Sequence, residues 1–439
     1  MRSNSFPTLT IRRGALALLL LTALVYADGL GGGFLWDDEY FFISNPRVHD
    51  ETVRSAFTSD LWFSTEIKDR FYNYRPLALL AYSWMARLFQ FQPFGMHLVS
   101  LLLHAATGIL VFLLVLEFAE MRVAWLTAAL FIVHPLHVEA VAWMTGVSEV
   151  LAGALMVLSL YTLMRARSQG RWLLAVSYLA AVLSFFTKET ALALPLMAAL
   201  LVGIRAWPFF TLAAGSLAVR FLAIGFVAAR LTPRPLWGHL RIVAITALQY
   251  GQKMIWPWPV APEYDYHYAG AAWVAFAVGC AGVAWLAWRY AHLRLAILLL
   301  VAALSPALAS GIAESVMMLA RDRNAYVAIL GLALAIGYAA RDRRGWTAGL
   351  ALVCLWGVLS FFAVAHWRDT ESLWAHTLRV TPNSRSAVIY LMGYYYSQMQ
   401  FEEADRVLRQ GLVWRPNDRD LLGYQADVQR QLKARAPQR

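Results

Sequence analysis

Residues 12–40 read RRGALALLLLTALVYADGLGGGFLWDDEY, and this stretch decides the fold. Two arginines precede an apolar run at 14–27, and a glycine-rich, then acidic, loop follows it. A charge-free apolar run with arginines on one flank is typical of a membrane helix whose basic end faces the cytoplasm. A cleaved signal peptide is the alternative, since residues 25–27 would suit a signal peptidase, but the many apolar segments downstream favour a retained first helix.

The composition indicates a multi-pass membrane protein. Of the 439 residues, 60% are hydrophobic and 15% are charged, and the mean hydropathy is +0.52. A soluble domain contains about 45–50% apolar residues, so this chain cannot cover itself with polar surface in water. The net charge of +11 comes mainly from arginines between apolar runs. Membrane topology and anionic lipids explain these arginines without a nucleic-acid partner. Cys280 and Cys354 lie within apolar runs and predict neither a disulfide nor a zinc site.

Hydropathy predicts an all-α bundle of about eleven membrane crossings, the longest of which can span ~30 Å of hydrocarbon unaided. After the first, the apolar runs lie at 96–116, 123–133, 144–164, 172–187, 190–204, 207–229, 270–288, 293–308, 324–340 and 346–365. This count places the intervening arginine clusters on the cytoplasmic side, which supports it. Residues 240–256 contain Gln249, Gln252 and Lys253, and we expect a re-entrant or interfacial segment there. A crossing at that point would invert all later segments.

This topology divides the chain into a membrane domain, 1–365, and a polar tail, 366–439, that lies on the extracytoplasmic side. The predicted outer loops are 31–94, 134–143, 230–268 and 305–323. Two Pro-Asn pairs of the tail, at 382–383 and 416–417, are 34 residues apart, which is the tetratricopeptide period. An unrelated helical hairpin is the alternative. Since little more than one repeat rarely stands alone, we expect the tail to dock on the membrane domain or on a partner protein.

Asp37, Asp38 and Glu39 are three consecutive carboxylates at a membrane boundary. Such a group is costly there unless it is solvated, paired or functional. One of them could act as a general base toward an acceptor hydroxyl, and a solvated loop start is the alternative. Later in the same outer loop, Tyr74 and Arg75 begin a predicted interfacial helix.

The outer loop at 134–143 contains His134, His137 and Glu139. These side chains could hold a divalent cation, hydrogen-bond a sugar, or terminate a helix. Their spacing differs from the helical His-Glu-x-x-His of zinc proteases, so the three interpretations stay open.

Three cations lie near the predicted outer boundary or inside an apolar run. Lys188 and Glu189 interrupt an apolar stretch and predict either an ion pair or a contact to phosphate. Arg220 lies inside an apolar run, which is costly and indicates a function or a buried partner. Arg323 opens a crossing from the outside and either binds phosphate or reaches the lipid headgroups.

The sequence contains no P-loop, no Gly-x-Ser-x-Gly and no dinucleotide-binding glycine motif, which disfavours soluble nucleotide chemistry. A carboxylate beside cations at a lipid interface suits transfer from a lipid-phosphate donor. The phosphate is already a good leaving group, so one base and the cations suffice, whereas glycosidases use two carboxylates. A transporter or flippase for lipid-linked sugars and a non-catalytic membrane scaffold are the alternatives.

An ordered set of motifs runs along nearly the whole chain. The set consists of Trp36-Asp37-Asp38, Asn45, Tyr74-Arg75-Pro76-Leu77, Phe94-Gly95-x-His97, His104, His134-Pro135-x-His137-x-Glu139-Ala140-Val141-Ala142, Lys188-Glu189 and Arg323-x-x-Tyr326. It resembles the transmembrane and tetratricopeptide-repeat O-mannosyltransferases, which are integral-membrane glycosyltransferases of the GT-C fold. The chain departs from that family in its short repeat array, in Tyr326-Val327-Ala328 and in Gly146-Val147, which leaves the sugar and the acceptor open.

The resemblance implies transfer of a sugar, mannose in the family, from a polyprenyl phosphate to Ser or Thr of an exported protein, outside the inner or plasma membrane. It implies that Asp37 is the base and that Asp38 assists it or binds the acceptor. Lys188, Arg220 and Arg323 would contact the donor phosphate. The residues implied to line the substrate pocket are Glu39, Tyr74, Arg75, His97, His134, His137, Glu139, Glu189 and Tyr326. The residues that could instead form a divalent-cation site are Asp37, His134, His137 and Glu139. The implied partners are the lipid donor, the exported acceptor, membrane lipids and a protein bound by the tail.

Overall fold

A computed structural model describes residues 8–45, 47–61, 73–225, 235–264, 272–310 and 320–435. Within these ranges the chain is helical and contains no strand. The predicted features that lie partly outside the described residues are the loops at 31–94, 230–268 and 305–323 and the crossings at 207–229 and 270–288.

The first helix, α1, extends over Thr8–Tyr26 and continues into a 3-10 turn at Ala27–Gly31. The outer loop that follows forms three helices, α2 (Arg47–Asp50), α3 (Val53–Phe57) and α4 (Pro76–Phe89). Pro76 lies in the first turn of α4, where its missing N–H leaves no hydrogen bond unmade. The buried face of α4 packs on α2 and α3, and the helix predicted to begin beside Arg75 is confirmed.

A central bundle surrounds the histidine motif. Its helices are α5 (Pro93–Leu116), α6 (Met121–Val133), α7 (Val138–Ala142), α8 (Val147–Gln169), α9 (Trp172–Thr187), α10 (Leu194–Val202) and α11 (Trp207–Ile224). The chain bends by 53° between α6 and the segment that contains α7. The bend lies at Pro135, because a proline forces the preceding residue out of the helical region, and His134 is accordingly extended. The bend leaves the histidine motif buried among helices.

The remaining helices before the tail are α12 (Leu236–Ile255), α13 (Ala272–Arg289), α14 (Ala291–Ser310), α15 (Ala328–Ala339) and α16 (Arg343–Ala365). The segment predicted to be re-entrant or interfacial forms one continuous helix, α12. This helix is not among the candidate membrane spans of the described residues. At Gly331, α15 approaches α14 so closely that a Cβ would lie 2.5 Å from the backbone nitrogen of Leu300.

Six helical segments of the described residues are long and apolar enough to cross a membrane. They are Thr10–Gly31, Pro93–Leu116, Val147–Gln169, Glu189–Ile224, Ala291–Ala309 and Arg343–Ala365. If the bent pair of α6 and α7 forms one span, the described residues contain up to 7 candidate spans. Shorter apolar helices are found in α9, α13 and α15. The predicted nearly all-helical, multi-pass membrane protein is confirmed, whereas the number of eleven crossings stays a prediction.

The tail forms four consecutive helices, each packed on the next. They are α17 (Thr370–Val380), α18 (Arg385–Ser397), α19 (Phe401–Trp414) and α20 (Arg419–Arg435). The two Pro-Asn pairs lie in the turns before α18 and before α20, and Arg385 Nε donates to Asp418 across these turns at 2.8 Å. Gly411 lets α19 approach α18, since a Cβ there would lie 2.7 Å from Val388 Cγ2.

The tail docks on the segment that follows α12. His376 Nε2 donates to the carbonyl of Val260 at 2.9 Å. Thr381 donates to the carbonyl of Glu263 at 2.8 Å, and the Ser384 hydroxyl donates to the Glu263 carboxylate at 2.5 Å. Because Glu263 is buried, these hydrogen bonds lie inside the interface and fix the tail relative to the outer loops.

Candidate active site

Asp38 fixes the loop that follows α1. Its buried carboxylate accepts hydrogen bonds from the backbone N–H of Leu35 at 3.0 Å, from the backbone N–H of Thr145 at 2.9 Å and from the Thr145 hydroxyl at 2.5 Å. Thr145 lies between α7 and α8, so the carboxylate joins two outer loops. With both oxygens engaged, Asp38 positions its neighbours, which favours a structural role over the predicted contact with an acceptor.

Asp37 differs from Asp38 in its surroundings. Its side chain is only partly buried and lies within the electrostatic range of Arg323, Arg321 and Glu139. Desolvation raises the pKa of Asp37 to about 6, while the two arginines act in the opposite direction. A carboxyl group that titrates near neutral pH is suited to take up a proton during a reaction.

Glu139 holds Arg323 beside Asp37. The backbone N–H of Arg323 donates to Glu139 Oε2 at 2.9 Å, and the guanidinium donates to Oε1. The guanidinium also lies 4.9 Å from the ring centroid of Trp143 and 5.5 Å from that of Trp36. Charge-assisted hydrogen bonds and cation–π contacts both restrict an arginine side chain, so the charge is presented in a fixed place.

The histidines of the motif are buried and bound to the fold. His137 Nε2 donates to the carbonyl of Tyr326 at 3.0 Å, and His104 Nδ1 is 2.8 Å from the Tyr326 hydroxyl. His134 Nε2 donates to the carbonyl of Met254 at 3.3 Å. Of the three roles open to His134 and His137, the structural one is favoured, and Tyr326 is likewise engaged with the histidines.

The predicted cation site finds no support in this geometry. Over the parts of the chain that the structure describes, no three side chains of His, Cys, Asp or Glu meet in a way that could hold a metal ion. Glu139 is paired with Arg323, both ring nitrogens of His134 bind backbone groups, and His137 Nε2 donates to a backbone carbonyl. Asp37 is thus left without metal-ligating neighbours from this motif.

A second charged group surrounds Lys188. Its ammonium lies 2.5 Å from Glu149, and both side chains are buried. The Thr190 hydroxyl donates to the same carboxylate at 2.7 Å. Desolvation lowers the pKa of Lys188 to about 8, Glu149 opposes this, and the nearby charges of Arg75 and Arg323 lower it further. Lys188 therefore belongs to the same electropositive region as Arg323.

Glu189 joins two arginines from distant segments. Arg75 Nε lies 2.8 Å from one carboxylate oxygen, and an Arg220 nitrogen lies 3.2 Å from the other. Arg220, predicted to require a function or a buried partner, therefore has a carboxylate partner. Tyr74 lines a cavity with Glu189 and Arg220, and its hydroxyl donates to the carbonyl of Phe57 at 2.9 Å.

Two predicted pocket residues lie elsewhere. Glu39 is exposed at the start of a short π-helical turn, Glu39–Ile43. His97 is buried in α5 beneath the glycine-rich loop, where a Cβ on Gly32 would lie 3.2 Å from its Nε2. Within the described residues, neither side chain is among the charged or hydrogen-bonding neighbours of Asp37, so the structure gives them no place in the carboxylate–arginine site.

The structure brings to this site residues that the sequence analysis did not assign to it. Thr145 and Glu149 follow closely after the histidine motif, and this closeness was an available signal. Trp374 and Tyr390 belong to the tail, where they stack on one another. No pattern in the sequence connects them with the loop after α1.

The fold and this site together define a multi-pass helical membrane protein with a carboxylate–arginine centre between the loop after α1, α7 and the turn before α15. No family model matches the chain. The chain is 33% identical to human protein O-mannosyl-transferase TMTC1 over 163 residues, which are 36% of this chain and 18% of that protein. It is 33% identical to Drosophila melanogaster protein O-mannosyl-transferase Tmtc2 over 192 residues, which are 41% of this chain and 20% of that protein. The resemblance predicted from the motifs is confirmed, over about a fifth of the length of these relatives.

Among solved structures, the chain is similar to ArnT from Cupriavidus metallidurans bound to undecaprenyl phosphate. The TM-score is 0.43 and the sequence identity is 15%, over 94% of this chain and 76% of that chain. The apo state of the same protein gives a TM-score of 0.41 at 16% identity, over 95% of this chain and 76% of that chain.

Proposed function

We propose that this protein is an integral-membrane glycosyltransferase of the GT-C type, which moves a sugar from a polyprenyl phosphate to Ser or Thr of an exported protein. The observation that carries the proposal is the partly exposed Asp37 carboxyl beside Arg323, which Glu139 holds in place. The O-mannosyl-transferases among the relatives support a transferase and favour mannose as the sugar.

In the proposed reaction, the Asp37 carboxylate takes the proton of the acceptor hydroxyl. The acceptor oxygen forms a bond to the anomeric carbon on the face opposite the phosphate. The bond between that carbon and the phosphate oxygen breaks, and the phosphate leaves with the electron pair. The configuration at the anomeric carbon is inverted, and one general base serves the whole step.

The cations of the site suit the leaving phosphate. Arg323 and Lys188 share one electropositive region, although each is paired with a buried glutamate. Fixed positive charge at the place where negative charge develops stabilises a transition state without reorganisation. Arg75 and Arg220 reinforce this region from the far side of Glu189.

The topology of the proposal keeps about eleven crossings, with the site and the tail on the extracytoplasmic face. The bent pair of α6 and α7 counts as one crossing, and each of the shorter apolar helices α9, α13 and α15 counts as one. The 36-residue segment Glu189–Ile224 would be ~54 Å long as one helix, too long for a single crossing. It contains a left-handed Gly203 at φ 63° and counts as two. The tail, 366–439, is proposed as a tetratricopeptide-like module on the membrane domain, 1–365.

The test is a sugar-transfer assay with the full-length protein in lipid vesicles. Labelled polyprenyl-phosphate mannose and other polyprenyl-phosphate sugars are offered with synthetic peptides that contain Ser and Thr. Asp37→Asn is compared with the matched control Glu39→Gln, which removes an exposed carboxylate of the same loop. We expect transfer by the wild type and the control, and a loss of about 10²–10⁴-fold in Asp37→Asn, the usual contribution of a general base.

The outcomes separate the parts of the proposal. Full transfer by Asp37→Asn would exclude this residue as the base. Transfer from a sugar other than mannose would keep the mechanism and change the substrate. A folded wild-type protein that transfers no sugar from any polyprenyl phosphate to these peptides would contradict the proposal and favour a transporter or a scaffold.

A further inference from the structure

The tail reaches the loop of Asp37 through a row of aromatic rings. Trp374 of α17 stacks on Tyr390 of α18, with ring centroids 4.7 Å apart and planes 11° apart. Trp374 also contacts Trp36, edge to face, at a centroid distance of 5.6 Å. Trp36 immediately precedes Asp37, so the row ends at the proposed base.

Trp36, at the end of this row nearest Asp37, is held in place by its surroundings. Trp36 has a φ of 53°, in the left-handed region that side chains other than glycine rarely adopt. Its ring stacks on Trp143 at 4.7 Å, and the backbone N–H of Gly33 donates to the carbonyl of Arg368 at 2.9 Å. A strained residue persists only where its surroundings fix it, so the contact with the tail is part of what positions Asp37.

Two polar groups of the tail lie in this row, the indole N–H of Trp374 and the hydroxyl of Tyr390. The indole N–H of Trp374 is buried and has no hydrogen-bond partner among the described residues. A buried donor without a partner is unfavourable. A phenylalanine at this position could stack on Tyr390 without that cost. Tyr390 is only partly buried. Burial together with the charge of Asp37 raises the pKa of its hydroxyl, and a hydrogen bond with the Trp36 side chain acts in the opposite direction. The tyrosine hydroxyl therefore lies within electrostatic range of the base.

We propose that the tail completes the acceptor side of the Asp37 site, with Tyr390 and Trp374 as acceptor-binding residues. This inference rests on the proposed function. A tyrosine hydroxyl both donates and accepts hydrogen bonds and suits the Ser or Thr hydroxyl, whereas an indole N–H only donates and suits a peptide carbonyl. The cations Arg323 and Lys188 suit the donor phosphate instead. The lipid donor and the peptide acceptor thus meet different groups, the peptide on the side where the tail docks.

The experiment measures KM for the peptide and for the lipid donor separately, in full-length variants that reside in vesicles. Tyr390→Phe keeps the stack on Trp374 and removes the hydroxyl together with its hydrogen bond to Trp36. Trp374→Phe keeps an aromatic ring and removes the indole N–H. The peptide is the one that the wild type modifies fastest in the assay above. The matched control is Tyr396→Phe, on the same helix, whose ring contact with Phe401 survives the change.

We expect the peptide KM to rise about tenfold in each variant, the loss typical of one hydrogen bond. The donor KM of both variants and all kinetic constants of Tyr396→Phe should match the wild type. A wild-type peptide KM in either variant, or a rise in the donor KM instead, would overturn the inference and leave the proposed function standing. A wild type that transfers no sugar at all would overturn both.

Discussion

Glu139 and Arg323 are 184 residues apart in the sequence, and two hydrogen bonds join them, one from the backbone N–H of Arg323 and one from its guanidinium. Both side chains are buried. The pair connects α7 with the 3-10 turn before α15, and it places a fixed positive charge beside Asp37. The geometry of the site therefore depends on a contact that forms only when the whole bundle is assembled.

Glu139→Gln should lower both stability and transfer. Removal of one partner from a buried ion pair typically costs about 3–5 kcal/mol, and Arg323 would lose the charge that orients it. We expect a clear drop in the thermal unfolding temperature and at least tenfold slower transfer. The control is Glu117→Gln, which breaks the half-exposed pair with Arg165 and should cost about 0–1 kcal/mol. Equal behaviour of the two variants would contradict the role of Glu139.

The transfer rate should depend on pH through Asp37. Its pKa is raised to about 6, chiefly by desolvation, and a general base must be deprotonated to act. We therefore expect kcat/KM to fall about tenfold for each pH unit below 6 and to level off above it. A pH profile of wild-type transfer measures this, and a rate that stays constant from pH 5 to 7 would rule out Asp37 as the titrating base.

The raised pKa of Asp37 should make stability change with pH in the direction opposite to the transfer rate. Because the pKa of Asp37 is higher in the folded protein than the ordinary value of about 3.9, folding takes up a proton between that pH and about 6. The free energy of unfolding should therefore fall as the pH rises through this window. Asp37→Asn should flatten that part of the stability curve, which thermal unfolding at a series of pH values would reveal.

Thr145→Val should destabilise the loop after α1. The substitution removes the hydroxyl that donates to Asp38 at 2.5 Å and leaves the backbone hydrogen bond in place. An intramolecular hydrogen bond contributes about 0.5–1.5 kcal/mol, so we expect lower thermal stability by at least this amount together with slower transfer. Thr347→Val, at an exposed position of α16, is the control and should change neither. A stable, fully active Thr145→Val would show that Asp38 does not anchor the loop.

Lys188→Met should weaken donor binding. If the ammonium contacts the donor phosphate, its loss removes a charge-assisted contact of about 1.5–3 kcal/mol and raises the donor KM about 10–100-fold. Lys188→Arg keeps the charge and should recover part of the affinity, while Lys433→Met, on the exposed last helix, should have no effect. An unchanged donor KM with a loss of stability alone would assign Lys188 to its ion pair with Glu149.

A chelator should leave transfer unchanged. In the part of the chain that the structure describes, Glu139 is paired with Arg323, and His134 Nε2 and His137 Nε2 donate to backbone carbonyls. We expect equal rates with and without ethylenediaminetetraacetate, and no gain on addition of Mg²⁺, Mn²⁺ or Zn²⁺. If the chelator abolished transfer and a divalent cation restored it, the predicted cation site would be supported instead.

The helical membrane architecture follows from local sequence. Apolar runs such as 14–27 cannot be solvated by water, and in a lipid environment a helix satisfies its own backbone groups. Pro135 predicts a break in the chain, and Pro76 predicts the beginning of a helix, because proline acts on its own and the adjacent residues. Asp37 could be singled out because charge at a membrane boundary is costly wherever the rest of the chain lies.

The sequence did not predict which groups these polar side chains contact in the folded protein. Asp38 and Asp37 are chemically identical and adjacent, and only the tertiary structure turns one toward Thr145 and leaves the other beside Arg323. The motif around His134 left three uses open, and only packing assigned the two ring nitrogens of His134 to backbone groups.

The sequence by itself determined the class of the protein, its helices and the carboxylate at its outer boundary, since hydropathy, proline geometry and the cost of charge act over a few residues. The tertiary structure alone decided which charges neutralise one another and that Trp374 of the tail lies against Trp36. Ion pairs and ring contacts depend on distances in space, and residues far apart in the chain acquire those distances only when the helices pack.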